Sequence, residues 1–182
     1  TVDVNHGVVV EITYTPTSNV ATATPYGIGC VSQNGSFYEL FGNGATFDLA
    51  NSSMTMTYAG TGYLMLPGFT TYVPPSLGAQ VLSLFDDSEV TVALPSPLAF
   101  PGGTTSALTI CSNGFVSVGP GNGTSFSPTP SAMLNAPQAA WWNWHDYNPN
   151  GFGSGQVKFE VIAGIAYVTW DGVFDFGGRG AS

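Results

Sequence analysis

Residues 89–118, EVTVALPSPLAFPGGTTSALTICSNGFVSV, are the stretch on which the fold turns. Val90, Val92 and Leu94 alternate with Thr91 and Ala93, which puts one apolar face on an extended chain. Residues 107–118 then read as strand, turn, strand, because Asn113-Gly114 between β-formers is a strong hairpin signal. Pro95, Pro97 and Pro101 fall between these pieces and cannot donate to a ladder, so they exclude a regular central strand there. The texture is that of an all-β, antiparallel chain.

Downstream, residues 141–149 read WWNWHDYNP and hold three of the four tryptophans and one of the two histidines. On a strand period Trp142 and Trp144 share one face while Trp141 and Asn143 share the other. One face should be core. The other either presents indole to a sugar ring or buries against another strand. Trp141 is read first as core or interface and second as a ligand platform. The candidate binding residues are therefore Trp141, Trp144, His145, Asp146 and Tyr147.

Residues 156–162 and 165–170 follow as a strand pair joined by Ala163-Gly164, the length a tight hairpin needs. Val157, Phe159 and Val161 face one way, Lys158 and Glu160 the other. A glycosidase would want two carboxylates on one face, and the same-face neighbour of Glu160 is Lys158. His145 beside Asp146 reads as a structural hydrogen bond, and no G-x-S-x-G elbow marks a nucleophile. No catalytic residue is assigned.

Composition sets the outer limits. The 182 residues suffice for one well-cored domain, or a domain plus an arm. Only 7% are charged, Lys and Arg together number two, and the formal charge is −9. Such a chain repels phosphate, which excludes nucleic acid and anionic membrane surfaces as partners. Apolar runs are too short to span a membrane. The 24 glycines and 13 prolines are dispersed between apolar runs, which predicts many short strands, tight turns and little helix.

Working back towards the N-terminus, Asp86, Asp87 and Glu89 form an acidic cluster between two apolar strands. A solvated turn is the first reading; calcium is the cofactor the cluster would take, and no other is implied. Met54, Met56 and Tyr58 alternate with Ser53, Thr55 and Thr57, and core packing is expected for the methionine face. Asn43-Gly44 and residues 60–62 read as turns, Pro74-Pro75 as a loop before a strand over 79–85. Residues 119–136 form a long loop with one helical turn near 131–135.

Cys30 and Cys111 are the only cysteines, without the close spacing of a zinc site. Two buried thiols remain open as a reading, but a disulfide is favoured and would place the chain outside the reducing cytosol. Asn34, Asn51 and Asn122 each open an Asn-x-Ser/Thr sequon, which matters where the host glycosylates. Residues 7–14, GVVVEITY, read as a strand, and residues 15–24 as a linker without an apolar face. The expected organisation is an arm and linker over 1–20 and one domain over 21–182, cut short at its C-terminal end. The N-terminal strand is expected to complete a sheet, its own or that of a neighbouring copy.

Two resemblances add to this reading. ATATPYGIGC at 21–30 resembles the opening of a group of bacterial secreted proteins and implies export. Residues 88–176 resemble nidogen-like and related bacterial surface domains: an apolar strand, a Pro/Phe/Gly passage, CSNGF at 111–115, WHDYNP at 144–149, then a strand pair ending in Trp170. Two positions depart from that pattern. Cys111 stands where the family has serine, and His145 where it has its first aspartate. The resemblance implies a jelly-roll-like antiparallel β-sandwich, secreted or held at the cell surface. Adhesion, glycan contact or assembly of an extracellular layer or filament would be its work, with glycan or another surface protein as partner. A secreted hydrolase of polysaccharide or ester is the alternative.

Overall fold

The computed structural model describes the backbone of residues 2–4, 8–15 and 20–26, and residues 39–177 apart from 43, 44, 48, 61, 69 and 70. Strands β1 (Val2–Val4), β2 (Val8–Thr15) and β3 (Val20–Tyr26) form an antiparallel sheet with β2 in the middle. β2 and β3 pair from Val9↔Tyr26 to Thr15↔Val20. The linker expected over 15–24 is thus a strand from Val20 onward, and the expected boundary after residue 20 falls at the start of that strand. Its Ala/Thr-rich text lacks an apolar face, yet β2 pairs with one side of its backbone, and Pro25 is tolerated on an edge strand.

A separate hairpin joins β4 (Met54–Tyr58) and β5 (Tyr63–Pro67) through a turn at Gly60 and Gly62. The period-two reading of β4 holds, but its expected burial does not. Met54 is 50% and Tyr58 42% exposed, and on the other face Leu64 and Leu66, paired with Thr57 and Thr55, are exposed too. The hairpin has only one partner strand on each side of its turn, and Met56, Tyr63 and Met65 on the methionine face are no more than partly buried.

The centre of the fold is a four-stranded sheet of order β10-β9-β8-β7. It comprises β7 (Glu89–Phe100), β8 (Gly103–Cys111), β9 (Phe115–Val118) and β10 (Ala140–Trp142). β7 continues through Pro95 and Pro97, not as the regular central strand the prolines exclude but as an edge strand. It lies at the sheet edge and slips register between Ala93 and Leu98, so the missing N–H groups cost it nothing in the ladder. A second sheet has the order β13-β12-β6, from β6 (Gln80–Val81), β12 (Gln156–Ile162) and β13 (Ile165–Asp171). β6 is shorter than the strand expected over 79–85. The β12–β13 turn places both Ala163 and Gly164 at positive φ, the conformation a two-residue hairpin loop requires. β11 (Tyr147–Asn148) pairs with β14 (Phe174–Asp175), and α1 (Pro130–Leu134) is a single capped turn with Thr129 accepting from Ala132 N.

Both larger sheets feed one apolar cluster: Val92, Leu108 and Ile110 from one, Val157 and Phe159 from the other, with Leu82, Leu84, Tyr147 and Val173 from the segments between. The inward side of β12 is the one its alternation predicts. Among the described residues the fold is mostly β, built of antiparallel sheets with one short helix and no closed barrel. No described helix is long and apolar enough to cross a membrane.

Candidate functional site

The turn between β8 and β9, Ser112-Asn113-Gly114, is polar and yet fully enclosed; Ser112 and Asn113 are both 0% exposed. Each polar atom therefore needs a partner. Asn113 Nδ2 donates to Asp87 Oδ1 (2.8 Å) and to the Thr124 carbonyl (3.2 Å), while its Oδ1 accepts from Tyr147 N (3.0 Å). Ser112 Oγ donates to the Asp86 carbonyl, and Trp170 Nε1 donates to the Ser112 carbonyl (2.8 Å). Gly114, at φ +83°, is fixed by crowding, since any Cβ would run into the Asn143 carbonyl and the Tyr147 ring. One buried turn thus ties together the acidic segment, the long loop and the WWNWHDYNP stretch.

That stretch enters through β10, where Trp142 pairs with Phe115 and Trp141 with Val116. It then leaves the ladder while Asn143 N and His145 N bond to the Gly114 and Asn113 carbonyls. The alternation sends Trp141 inward: it packs against the core, and its indole N–H bonds the Tyr63 hydroxyl. Trp141 is partly buried against the core cluster, the first of the two expected readings. Burial raises the pKa of Tyr63, with the Trp141 bond opposing and Tyr58 adding to the rise. Trp142 and Trp144 do share a face, with ring centroids 4.9 Å apart, and both lie on Phe115 at 4.5 and 5.7 Å. Trp144 Nε1 donates to the Ser125 carbonyl (2.7 Å), which fixes its ring.

Beside these rings runs a groove of about 190 Å³, lined by Phe115, Trp142, Trp144, Ser125, Ala132 and Asn135 among others. Its far wall is the capped turn α1. No titratable side chain lines it. Trp142, which the sequence placed on the right face without marking it as a binding residue, is half of the aromatic floor. The signal that could have found it was the Trp142/Trp144 alternation together with the polar turn that frees Trp144 from the ladder.

The remaining expected residues scatter. Tyr147 is 8% exposed and part of the core, and burial raises its pKa. His145 is exposed with its ring edge on Tyr147 (4.9 Å). No described hydroxyl or thiol is hydrogen-bonded to it. Asp146 turns towards Asp86 and Asp87, and their carboxylate oxygens lie within 4.8 Å of one another. Glu89, expected as the third member of the cluster, instead points at the Gly121–Gly123 loop, where the Gly123 backbone bonds it. Burial raises the pKa of Asp86, and the Asp87 charge adds to it. Asp146 is raised by burial, then by Asp87 and Asp86, with His145 opposing and Asp175 adding. Three carboxylates in reach of one point are the hard oxygen donors that calcium takes.

Lys158 is held by Asp171 at 2.7 Å, and Glu160 by the Ser76 amide and hydroxyl, so the face of β12 carries no carboxylate pair. Cys111, expected to bond Cys30, is a buried free thiol whose burial pushes its pKa up to about 11; Cys30 lies outside the described residues. Of the sequons, Asn34 lies outside them too. Asn51 is exposed in a turn, whereas the Asn122 amide is tied to both backbone groups of Gln138 and to Ser117 Oγ. Asn122 is a strut of the groove loop. No protein-family model matches the chain, and it matches no curated protein and no solved structure.

Proposed function

We propose that this chain is a non-catalytic extracellular module that works by contact: adhesion, glycan contact or assembly of a surface layer or fibre. The observation that carries the reading is the uncharged aromatic groove built on Trp142 and Trp144, held rigid by the Trp144–Ser125 bond and the Asn122–Gln138 clasp. Concave, mostly apolar surfaces with a few fixed polar groups are the usual form of binding sites. The proposal includes a jelly-roll-like β-sandwich as the finer architecture, because two antiparallel sheets feed one core cluster. Export and surface location rest on the ATATPYGIGC opening and the nidogen-like pattern over 88–176. The N-terminal sheet, whose β3 has a free long edge among the described strands, suits strand addition between copies.

The test compares the wild type with Trp144→Ala for retention on immobilised polysaccharides and for self-association by light scattering. Loss of either kind of contact in the variant supports the reading. A wild type that makes neither contact, or that turns over polysaccharide or ester substrates, overturns it.

A further inference from the structure

Phe152 stands fully outside the fold, at 106% of its reference exposure. It is not there on a slack loop. Asn150 N bonds Asn148 Oδ1 (2.9 Å), Gly151 N bonds the Asn148 carbonyl (3.2 Å), and Ser154 N bonds the Gly151 carbonyl (3.0 Å). Ser154 Oγ then accepts from Phe174 N (2.9 Å), which anchors the turn to β14. A rigid turn that presents a phenyl ring to solvent has already met the ordering cost of binding, which is the property of an interface anchor.

The groove beside Trp142 and Trp144 is the complementary shape. An apolar cavity of about 150 Å³ suffices for a benzene ring, and this groove offers about 190 Å³ with three aromatic residues in its lining. It is too small for the roughly 300–1,000 Å³ of a drug-sized ligand. Charge points to the same pairing. Two copies carrying −9 each repel wherever carboxylates approach; the groove lining has no titratable group, and residues 147–157, YNPNGFGSGQV, carry none besides the buried Tyr147, while Asp175 lies on β14, to which the turn is anchored. These are surfaces on which two such acidic chains can meet.

We propose that Phe152 of one copy seats in the Trp142/Trp144 groove of the next. This rests on the contact-module reading above and chooses assembly among its uses. Full exposure of Phe152 shows that it does not fill its own groove. Knob and socket are different surfaces, so a contact made once per pair leaves one free knob and one free socket, and such a head-to-tail contact extends beyond the dimer unless it closes into a ring.

The experiment uses the full chain and two surface variants in sedimentation velocity over a concentration series. Wild type should form species beyond the dimer. Phe152→Ser, which keeps the socket, and Ala132→Phe, which plugs it, should each associate about thirtyfold more weakly or worse, the size of a lost anchor. Mixed one to one, the two variants should form a heterodimer that does not extend, since one supplies the socket and the other the knob. Circular dichroism and melting of each variant alone establish that both are folded. A wild type that stays monomeric, an assembly that survives Phe152→Ser, or folded variants that fail to complement each other overturns the proposal. Polysaccharide binding by Phe152→Ser with a monomeric wild type would sink this pairing and leave the contact-module reading standing.

Discussion

The Ser112–Gly114 turn and the β4–β5 hairpin invert one another. The turn is written in polar residues and is fully enclosed, with Ser112, Asn113 and the flanking Cys111 at 0% exposure. The hairpin is written in methionine, leucine and tyrosine, and leaves Met54, Leu64 and Leu66 at 50%, 57% and 43%. Polarity did not decide burial. The turn is enclosed because three segments converge on it and each shares a hydrogen bond with it; the hairpin stays largely open because its two strands pair only with each other. Enclosed polar groups are worth most where every partner is present and cost most when one is removed.

The sharpest break of this contrast uses two glycines of nearly equal φ. Gly114 (φ +83°) is pressed by the Asn143 backbone, whereas Gly60 (φ +86°) in the hairpin has nothing within 4 Å of an added Cβ. Gly114→Ala should cost about 4 kcal/mol, since backbone must move as well as adopt a left-handed conformation. Gly60→Ala should cost about 1 kcal/mol, the conformational term alone. Urea unfolding reads both, and equal losses would mean that enclosure of the turn is not what matters.

Asn113→Ala comes next. It removes three hydrogen bonds in a site without water access, and about 3 kcal/mol should be lost. The loop contact through Thr124 should loosen with it, visible as faster amide exchange over 122–126. A loss below about 1 kcal/mol would make the turn an ordinary hairpin.

Smaller is the effect of Asp146, which borders the turn. Its folded-state pKa lies above the ordinary 3.8 because burial and the Asp87 and Asp86 charges favour the proton. The folded state therefore binds that proton more tightly than the unfolded one. Its contribution to stability is complete below about pH 3.8 and is lost as pH rises through the folded value. Asp146→Asn should melt higher than wild type at pH 7, by less than about 1 kcal/mol at this half-exposed site. The gain should vanish near pH 3.8. Taking the difference between the two proteins cancels Glu160, whose pKa is lowered by Ser76 and whose trend is opposite. A variant that melts lower at pH 7 would show that Asp146 has a favourable partner.

The smallest effect belongs to the hairpin. Met54→Ser should change stability by no more than about 0.5 kcal/mol, because half of that side chain is already in water. A loss above 2 kcal/mol would mean that β4 is covered in solution and that the contrast with the turn is weaker than drawn.

Much of the strand content was legible because it is local. Alternation at Val157, Phe159 and Val161 and the turns at Asn113-Gly114, Gly60–Gly62 and Ala163-Gly164 depend on neighbours within a few residues, so the chain itself states them. Pro95 and Pro97 excluded a regular central strand and left the edge strand β7 open, whereas the same locality misleads at β3, whose text reads as a linker. For the site, the text placed Trp142 and Trp144 on one face and could say no more. Which face is buried depends on what packs against it, and that information sits in Ser125, Ala132 and Asn135, close in sequence but brought into register only by the polar turn.

The sequence by itself determined that this is an acidic, lightly charged, strand-rich chain with its aromatic weight at 141–149, because composition and two-residue periodicity need no partner to be true. Only the tertiary structure decided that Trp141 packs against the core and Trp142 lines the groove, that Asp146 and not Glu89 joins Asp86 and Asp87, and that Phe152 stands exposed. Each of those is a matter of which distant segment fills the space on one side of a strand, and burial is a property of that pairing, not of the residue.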